Sequence, residues 1–346
     1  MLGGDNPYDV QNYDLIQSQD KAAVNQPLRM WNPPWVLPLI MPFGLLERPY
    51  AQIFWLIICI AAILFCAEQI WKLYGGHVNQ RWQSWLIIFI FAPTLLVLAI
   101  GQISPLIFLG LTGFLLFITN PKKEWLAGVF ASLLLIKPQL LLILLFTIFI
   151  WAVWNKKWLF FVGFIGSILL LTGISLVFNN DILQQYLAAI SNDTPLIWAS
   201  PTLGAWLRLI FGIQHQWLQY LPTLMGLIIL FLFWTVKRPR QWIWLKQFPS
   251  LLFLALFTSP YSWTYDLVLL AIPVILAFIL SKLHHPITIH YLIVSIFLFI
   301  NLVYFFLQTK LNDFWFVWFT PVIWLFYLIA VNNYRLNKNM AQAITS

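Results

Sequence analysis

The sequence predicts an all-α, polytopic integral membrane protein with about eleven membrane segments. Of its 346 residues, 61% are hydrophobic and only 9% are charged, and the mean hydropathy is +0.83. Soluble globular domains carry far more charge, about a quarter of their residues on average. The apolar residues also fall into long blocks separated by short polar stretches, which is typical of a chain that crosses a bilayer repeatedly.

Three regions follow from this pattern. Residues 1–50 are predicted to form an outer N-terminal loop, residues 51–336 the polytopic transmembrane domain, and residues 337–346 a cytoplasmic tail. Within the first region, the apolar stretch 35–46 is too short to span a bilayer and contains two prolines. We therefore expect an interfacial helix there.

The transmembrane domain contains eleven apolar blocks. They lie roughly at 53–74, 83–100, 104–119, 124–136, 138–154, 158–178, 217–236, 247–260, 265–281, 288–307 and 313–333. Several are shorter than the ~20 residues that a perpendicular helix needs, so tilted, re-entrant or merged helices remain open. The fourth and fifth blocks in particular also fit a single broken helix.

Charge predicts the orientation. Thirteen of the 19 basic residues fall in alternate connections between the blocks, and nine of the eleven acids fall on the opposite side. Because Lys and Arg mark the cytoplasmic side, the C-terminus is predicted to be cytoplasmic and residues 1–50 to lie outside. The net charge of +8 is thus read as membrane orientation, and no nucleic-acid partner is expected. A further helix upstream of Met1 is expected to carry residues 1–50 outside, which makes about twelve segments in a full-length form.

Lys137 is the first candidate site residue, because it stands inside an otherwise apolar run. A charge at membrane depth costs about 2.5–3.5 kcal/mol on insertion scales and is a functional candidate by default. Ser104-Pro105 and Pro138 are predicted to open helices, and Asp266 to fall in the first turn of another. Helix N-termini carry unpaired N–H groups that suit phosphate. We therefore predict a donor-phosphate or substrate site at the outer face, with these members: Gln102, Lys137, Arg208 and Asp266.

Plainer roles stand beside this prediction. Lys137 also fits a snorkelling lysine that binds lipid headgroups, and Arg208 an interfacial anchor. Asp266 fits a helix cap or the partner of a base. The histidines have no metal-like spacing, and the chain has no Walker loop, dinucleotide fingerprint or serine nucleophile elbow. No metal or other cofactor is expected.

Five segments in order carry a resemblance to a known family. They are GGDNPYD (3–9), WNPPWVLPLIMPFGLL (31–46), GQISPLIFL (101–109), LAGVFASLLLIKPQLLLILL (126–145) and SPYSWTYDLVLL (259–270). Together they resemble glycosyltransferase family 87, and the likeness covers nearly the whole chain. The resemblance implies a GT-C-like fold and transfer of a hexose such as mannose from a polyprenyl-phosphate donor. The acceptor would be a hydroxyl of a lipid or glycan, at the outer face of the plasma (inner) membrane.

The resemblance also bears on the catalytic base. In the family an aspartate in the first outer loop, ahead of the G-NPYD element, acts as the base. That stretch would lie before Met1 here, so the base is expected upstream, and whether the chain as given is active stays open. Asp5 and Asp9 lie in the corresponding loop but belong to the later element, which makes them weaker candidates.

Two other classes fit part of the pattern. A transporter or lipid-linked-sugar flippase also combines many spans with buried charges and broken helices. Against it, the two halves of the chain show no similarity to each other, and the polar residues gather at one face. A polysaccharide polymerase or ligase shares outer-face chemistry on lipid-linked sugars, and here the order of the segments favours the transferase.

Overall fold

The computed structural model describes residues 6–9, 30–192, 200–236 and 242–331, and within these ranges it holds helices and turns but no strand. The all-α prediction is confirmed. The helices are α1 (Arg48–Leu73), α2 (Trp82–Ile90), α3 (Ala92–Ile100), α4 (Ser104–Phe117), α5 (Glu124–Ser132), α6 (Leu142–Trp154), α7 (Trp158–Phe178), α8 (Ile182–Asn192), α9 (Leu203–Phe211), α10 (Leu221–Val236), α11 (Trp244–Thr258), α12 (Ala271–His284), α13 (Ile287–Gln308) and α14 (Phe319–Val331).

Fewer helices are long enough to span a membrane than the sequence predicts. Among the described residues five helical stretches have the length and apolar character to cross: α1, α7, Thr264–His284, α13 and Asp313–Val331. A sixth is added if α2 and α3, which are bent by 67°, count as one span. Each predicted block contains helix, but α4, with 14 residues, is only ~21 Å long against a hydrocarbon core of ~30 Å. The count of eleven spans is therefore not confirmed.

The stretch Thr264–His284 is the centre of the bundle. It begins as a 3₁₀ helix (Thr264–Leu270) and continues as α12. Its apolar window is 83% buried within the protein, against 22–39% for the other four long stretches. A helix that is apolar all round and buried all round belongs to the core of a large bundle. Residues at the start of this stretch are therefore held on every side.

Helix α5 packs closely against α7 through glycine. A Cβ atom at Gly128 would overlap the Phe160 carbonyl, and one at Gly163 would overlap the Trp125 carbonyl. Two backbones can approach this closely only where side chains are absent, which is a common device in membrane helix pairs. Helix α5 also contacts α4, so this region of the chain forms one packed unit.

A buried amide stabilises the bend between α2 and α3. Proline at position 93 stands in the first turn of α3, and the preceding break leaves the Ala92 N–H without a partner in its own helix. Asn301, on α13, accepts this N–H at 2.7 Å and donates to the Phe297 carbonyl. In an apolar interior an unmade backbone hydrogen bond costs several kcal/mol. Asn301 removes that cost at Ala92 and so stabilises the bend.

The polar connections meet at two ends of the bundle. At one end Lys282 bonds Gln80 and Gln83, and Lys157 pairs with Glu124. At the other end, side-chain hydrogen bonds join residues near 35, 55, 101–104, 135–139, 206, 259–266 and 314. These contacts join segments that the charge pattern assigns to the same side.

The N-terminal region is described only in part. A short helix runs from Pro34 to Leu45, over the stretch for which an interfacial helix is predicted. Its first half packs into the bundle, where the Ser175 hydroxyl donates to the Pro34 carbonyl at 2.8 Å, and its interfacial position stays a prediction. Residues 1–5 and 10–29 lie outside the described residues, and so does the whole tail 337–346. The three domain boundaries therefore stay predictions.

Candidate active site

Lys137 stands in a break between α5 and α6. The chain tightens into a 3₁₀ turn at Leu133–Ile136, leaves the helical conformation at Lys137 (φ −136°, ψ 74°), and forms a second turn at Pro138–Leu140. Helix α6 begins only at Leu142, because Leu141 (φ −124°, ψ 23°) leaves the helical region. The prediction that Pro138 opens a membrane helix is therefore wrong. A turn of three residues aligns too few N–H groups to make an anion site.

The Lys137 side chain instead forms a buried ion pair. Its Nζ lies 2.7 Å from Oδ1 of Asp266, and the two side chains are 10% and 1% exposed. The same ammonium lies 4.6 Å from the centre of the Tyr265 ring, within range of a cation–π contact. Two charges this deep in an apolar bundle are stable only together, since an unpaired one would keep its full desolvation penalty.

Asp266 is held by three donors from three parts of the chain. Besides Lys137, the Ser104 hydroxyl donates to Oδ1 at 2.5 Å and the Trp263 N–H donates to Oδ2 at 3.1 Å. The predictions that Ser104 opens a helix and that Asp266 falls in a first turn are both confirmed. Asp266 thus caps its helix and pairs with a base, which were its two plainer roles. The sequence marks Ser104 only as a helix start and gives no sign of its hydrogen bond to Asp266.

Gln102 lies next to this cluster in the chain. Gly101, with φ +72°, ends α3 in the left-handed conformation, and the Gln102 N–H closes the turn by donating to Val97 at 3.1 Å. The Gln102 side chain is half-buried. Gln102 precedes Ser104 by two residues, so the turn that ends α3 also delivers Ser104 to Asp266.

The loop from Ser259 to Trp263 connects the ion pair to a second polar cluster. The Ser259 hydroxyl donates to the carbonyl of Gln139, two residues after Lys137, at 3.0 Å. On its other side, the Pro260 carbonyl accepts the side-chain amide of Gln219. Burial raises the pKa of Tyr261 in the same loop, so its phenol stays protonated at neutral pH.

Arg208 belongs to this second cluster. It is buried on α9, and its guanidinium donates to the Ile213 carbonyl at 2.9 Å and to Oε1 of Gln219 at 3.2 Å. It therefore reaches the loop of Asp266 through Gln219. Sequence reasoning missed Gln219, because a single glutamine near the start of the predicted apolar block 217–236 resembles an ordinary residue at a membrane interface.

The early aspartates are placed only in part. Asp9 is half-buried beside Tyr8, whose hydroxyl donates to the Asn32 carbonyl at 2.9 Å and whose ring packs against Tyr186 of α8. Asp5 lies outside the described residues. Within the described ranges, no group of three or more His, Cys, Asp or Glu side chains is placed to hold a metal ion.

The fold and this cluster define a multi-helix membrane protein with a buried, charge-paired polar site where several broken helices meet. The chain belongs to glycosyltransferase family 87, whose family model matches residues 31–281. The match covers Gln102, Lys137, Arg208 and Asp266, whereas the segment 3–9 lies before it. Comparison with curated proteins and with solved structures gave no match. Membership in this family makes the protein a membrane glycosyltransferase by class, with a sugar donor and an acceptor, and favours that class over the transporter or flippase.

Proposed function

We propose that this protein is a hexosyltransferase that moves a mannose-like sugar from a polyprenyl-phosphate donor to an acceptor hydroxyl on a lipid or glycan. The reaction takes place at the outer face of the plasma membrane, and the C-terminus is cytoplasmic. The family match supports the transferase class, and the distribution of Lys and Arg supports the orientation. A lipid-linked donor also accounts for catalysis inside a membrane bundle.

The observation that carries the proposal is the buried Lys137 ammonium. A protonated lysine has three N–H donors, and among the described residues Lys137 donates one hydrogen bond, to Asp266. The remaining donors are available to the phosphate of the donor. Charge-assisted donors aimed at a leaving phosphate stabilise the transition state most where water is excluded. Gln102 and Arg208 are proposed to bind the substrate as well.

Asp266 is proposed to orient Lys137 rather than to act as the base. A general base must reach the acceptor proton. The Asp266 side chain is 1% exposed, and both of its oxygens already accept hydrogen bonds. Asp9 and Asp5 stay the weak candidates for the base among the residues of this chain.

The proposal is tested with purified protein, radiolabelled polyprenyl-phosphate hexose and a membrane lipid or glycolipid acceptor. We expect release of polyprenyl phosphate together with a glycosylated acceptor. Sealed vesicles that take up the donor without forming a glycosidic product would instead indicate a transporter. Donor binding is measured in parallel, because binding does not require the base.

A further inference from the structure

Gln219 has a buried side chain whose hydrogen-bonding groups are all engaged. It closes the 3₁₀ turn Gln216–Gln219 ahead of α10, and it is 0% exposed. Its Oε1 accepts from Arg208 at 3.2 Å, and its Nε2 donates to the Pro260 carbonyl and to the Thr202 hydroxyl at 3.3 Å. One carboxamide therefore joins α9 to the loop that carries Asp266.

Hydrogen bonds from side chains to backbone carbonyls hold that loop in place. The Thr223 hydroxyl donates to the Thr258 carbonyl at 2.6 Å. The single hydrogen of the Ser259 hydroxyl is shared between the Tyr261 carbonyl at 2.8 Å and the Gln139 carbonyl at 3.0 Å. The Pro260 carbonyl accepts from Gln219 and, at 3.4 Å, from Thr202. In apolar surroundings each such carbonyl needs a partner, so these side chains determine where the loop lies.

The turn that carries Gln219 is itself rigidly placed. A Cβ atom at Gly204 would overlap the backbone carbonyl of Gln219, which means that α9 and the turn are in backbone contact. The loop is anchored at its far side by Ser259 to Gln139 and by Asp266 to Lys137. A displacement of Gln219 would therefore shift the loop, and the loop would in turn shift the ion pair between Asp266 and Lys137.

We infer that Gln219 is a positioning residue: it holds the loop Ser259–Asp266 where Asp266 meets Lys137, and it thereby couples the Arg208 helix to the donor-phosphate site. The consequence for donor binding rests on the proposed function. The consequence for the ion pair does not.

The first test is a double-variant cycle by thermal unfolding in detergent, which needs no activity. The variants are Gln219→Met, Asp266→Asn and the two combined. If Gln219 positions Asp266, the melting temperature of the double variant falls by clearly less than the sum of the single losses, because residues coupled through a shared backbone segment are not additive. The matched cycle of Gln219→Met with Glu124→Gln, whose partner Lys157 lies at the other end of the bundle, should be additive. Additivity in both cycles overturns the inference.

The second test separates the two halves of the amide. Gln219→Glu keeps the size and the acceptor for Arg208 but has no N–H for Pro260. It should therefore lose less stability than Gln219→Met and still weaken the coupling. Its donor affinity should fall roughly 2–12-fold, the value of one ordinary hydrogen bond. Unchanged donor affinity in a folded Gln219→Glu overturns the link to the site. If the unaltered protein binds no donor, the proposed function fails, and the thermal cycle still decides the position of the loop.

Discussion

Lys137 and Asp266 are 129 positions apart in the chain, and their side chains meet at 2.7 Å inside an apolar bundle. Each charge stabilises the other in the apolar interior, because removing one partner leaves an uncompensated buried charge. Ser104 and Tyr265 complete the contact, so four residues from three segments converge on one polar point.

The pair should be interdependent in stability. Lys137→Gln alone is expected to lower the free energy of unfolding by about 3–5 kcal/mol, because Asp266 is left buried without its cation. The double variant Lys137→Gln/Asp266→Asn should recover much of that loss. Unfolding by a denaturing detergent measures both. Glu124→Gln, in the more exposed pair with Lys157, is the control and should have the smaller effect.

The close approach of α5 and α7 predicts a strong difference between two glycines on one helix. Gly163→Ala should be destabilising by roughly 1–3 kcal/mol, because the new methyl group overlaps the Trp125 carbonyl. Gly166→Ala places its methyl group in open space and should leave stability unchanged or slightly raised, since alanine favours helix. Melting temperatures of the two variants, compared side by side, check this. Equal losses at both positions would mean that the crossing is not as close as described.

The exposed end of α9 is predicted to lie in the lipid. Ile210 and Phe211 are 65% and 64% exposed, on a helix of nine residues that is too short to span. Ile210→Cys carrying an environment-sensitive fluorophore should be quenched by lipids brominated in the acyl chain, and Gln214→Cys much less. The native Cys59 and Cys66 are buried, so background labelling is low. If the fluorophore at Ile210→Cys is quenched as weakly as the one at Gln214→Cys, the end of α9 does not lie in the lipid.

The orientation is checked with reporter fusions. A reporter that is active only in the cytoplasm should be active after Ile344 and inactive when inserted at Asn180, which lies in the connection between α7 and α8. The reason is the concentration of Lys and Arg in the connections on the opposite side. Cytoplasmic activity at Asn180 would reverse the proposed outer face.

Much of the fold and part of the site were predictable from the sequence. A charge such as Lys137 in an apolar run has few explanations, and Asp266 beside a predicted helix start was equally conspicuous. Their pairing was not predictable, because contact across 129 positions depends on how the bundle packs. Pro138 wrongly indicated the start of a membrane helix, because proline is equally suited to the first position of a short 3₁₀ turn. That the turn ends at Leu141 follows from the backbone conformation of Leu141, which the sequence does not reveal. Gln219 carries no sequence signal at all, since its importance comes from burial.

Donor binding tests the central claim most directly. The comparison is between Asp266→Asn and Lys137→Gln/Asp266→Asn, because in both proteins the carboxylate is neutral and no buried acid is left unpaired. The two then differ in the Lys137 side chain, whose ammonium in Asp266→Asn has no carboxylate partner and is left to bind the donor phosphate. Binding of polyprenyl-phosphate hexose to each is measured in detergent or nanodiscs, after folding has been verified. We expect the double variant to bind roughly 10–150-fold more weakly, the value of one charge-assisted hydrogen bond. Lys137→Arg/Asp266→Asn should retain part of the affinity, because the charge stays while the planar guanidinium fits less well. Equal affinity in the two proteins would contradict a donor-phosphate site at Lys137.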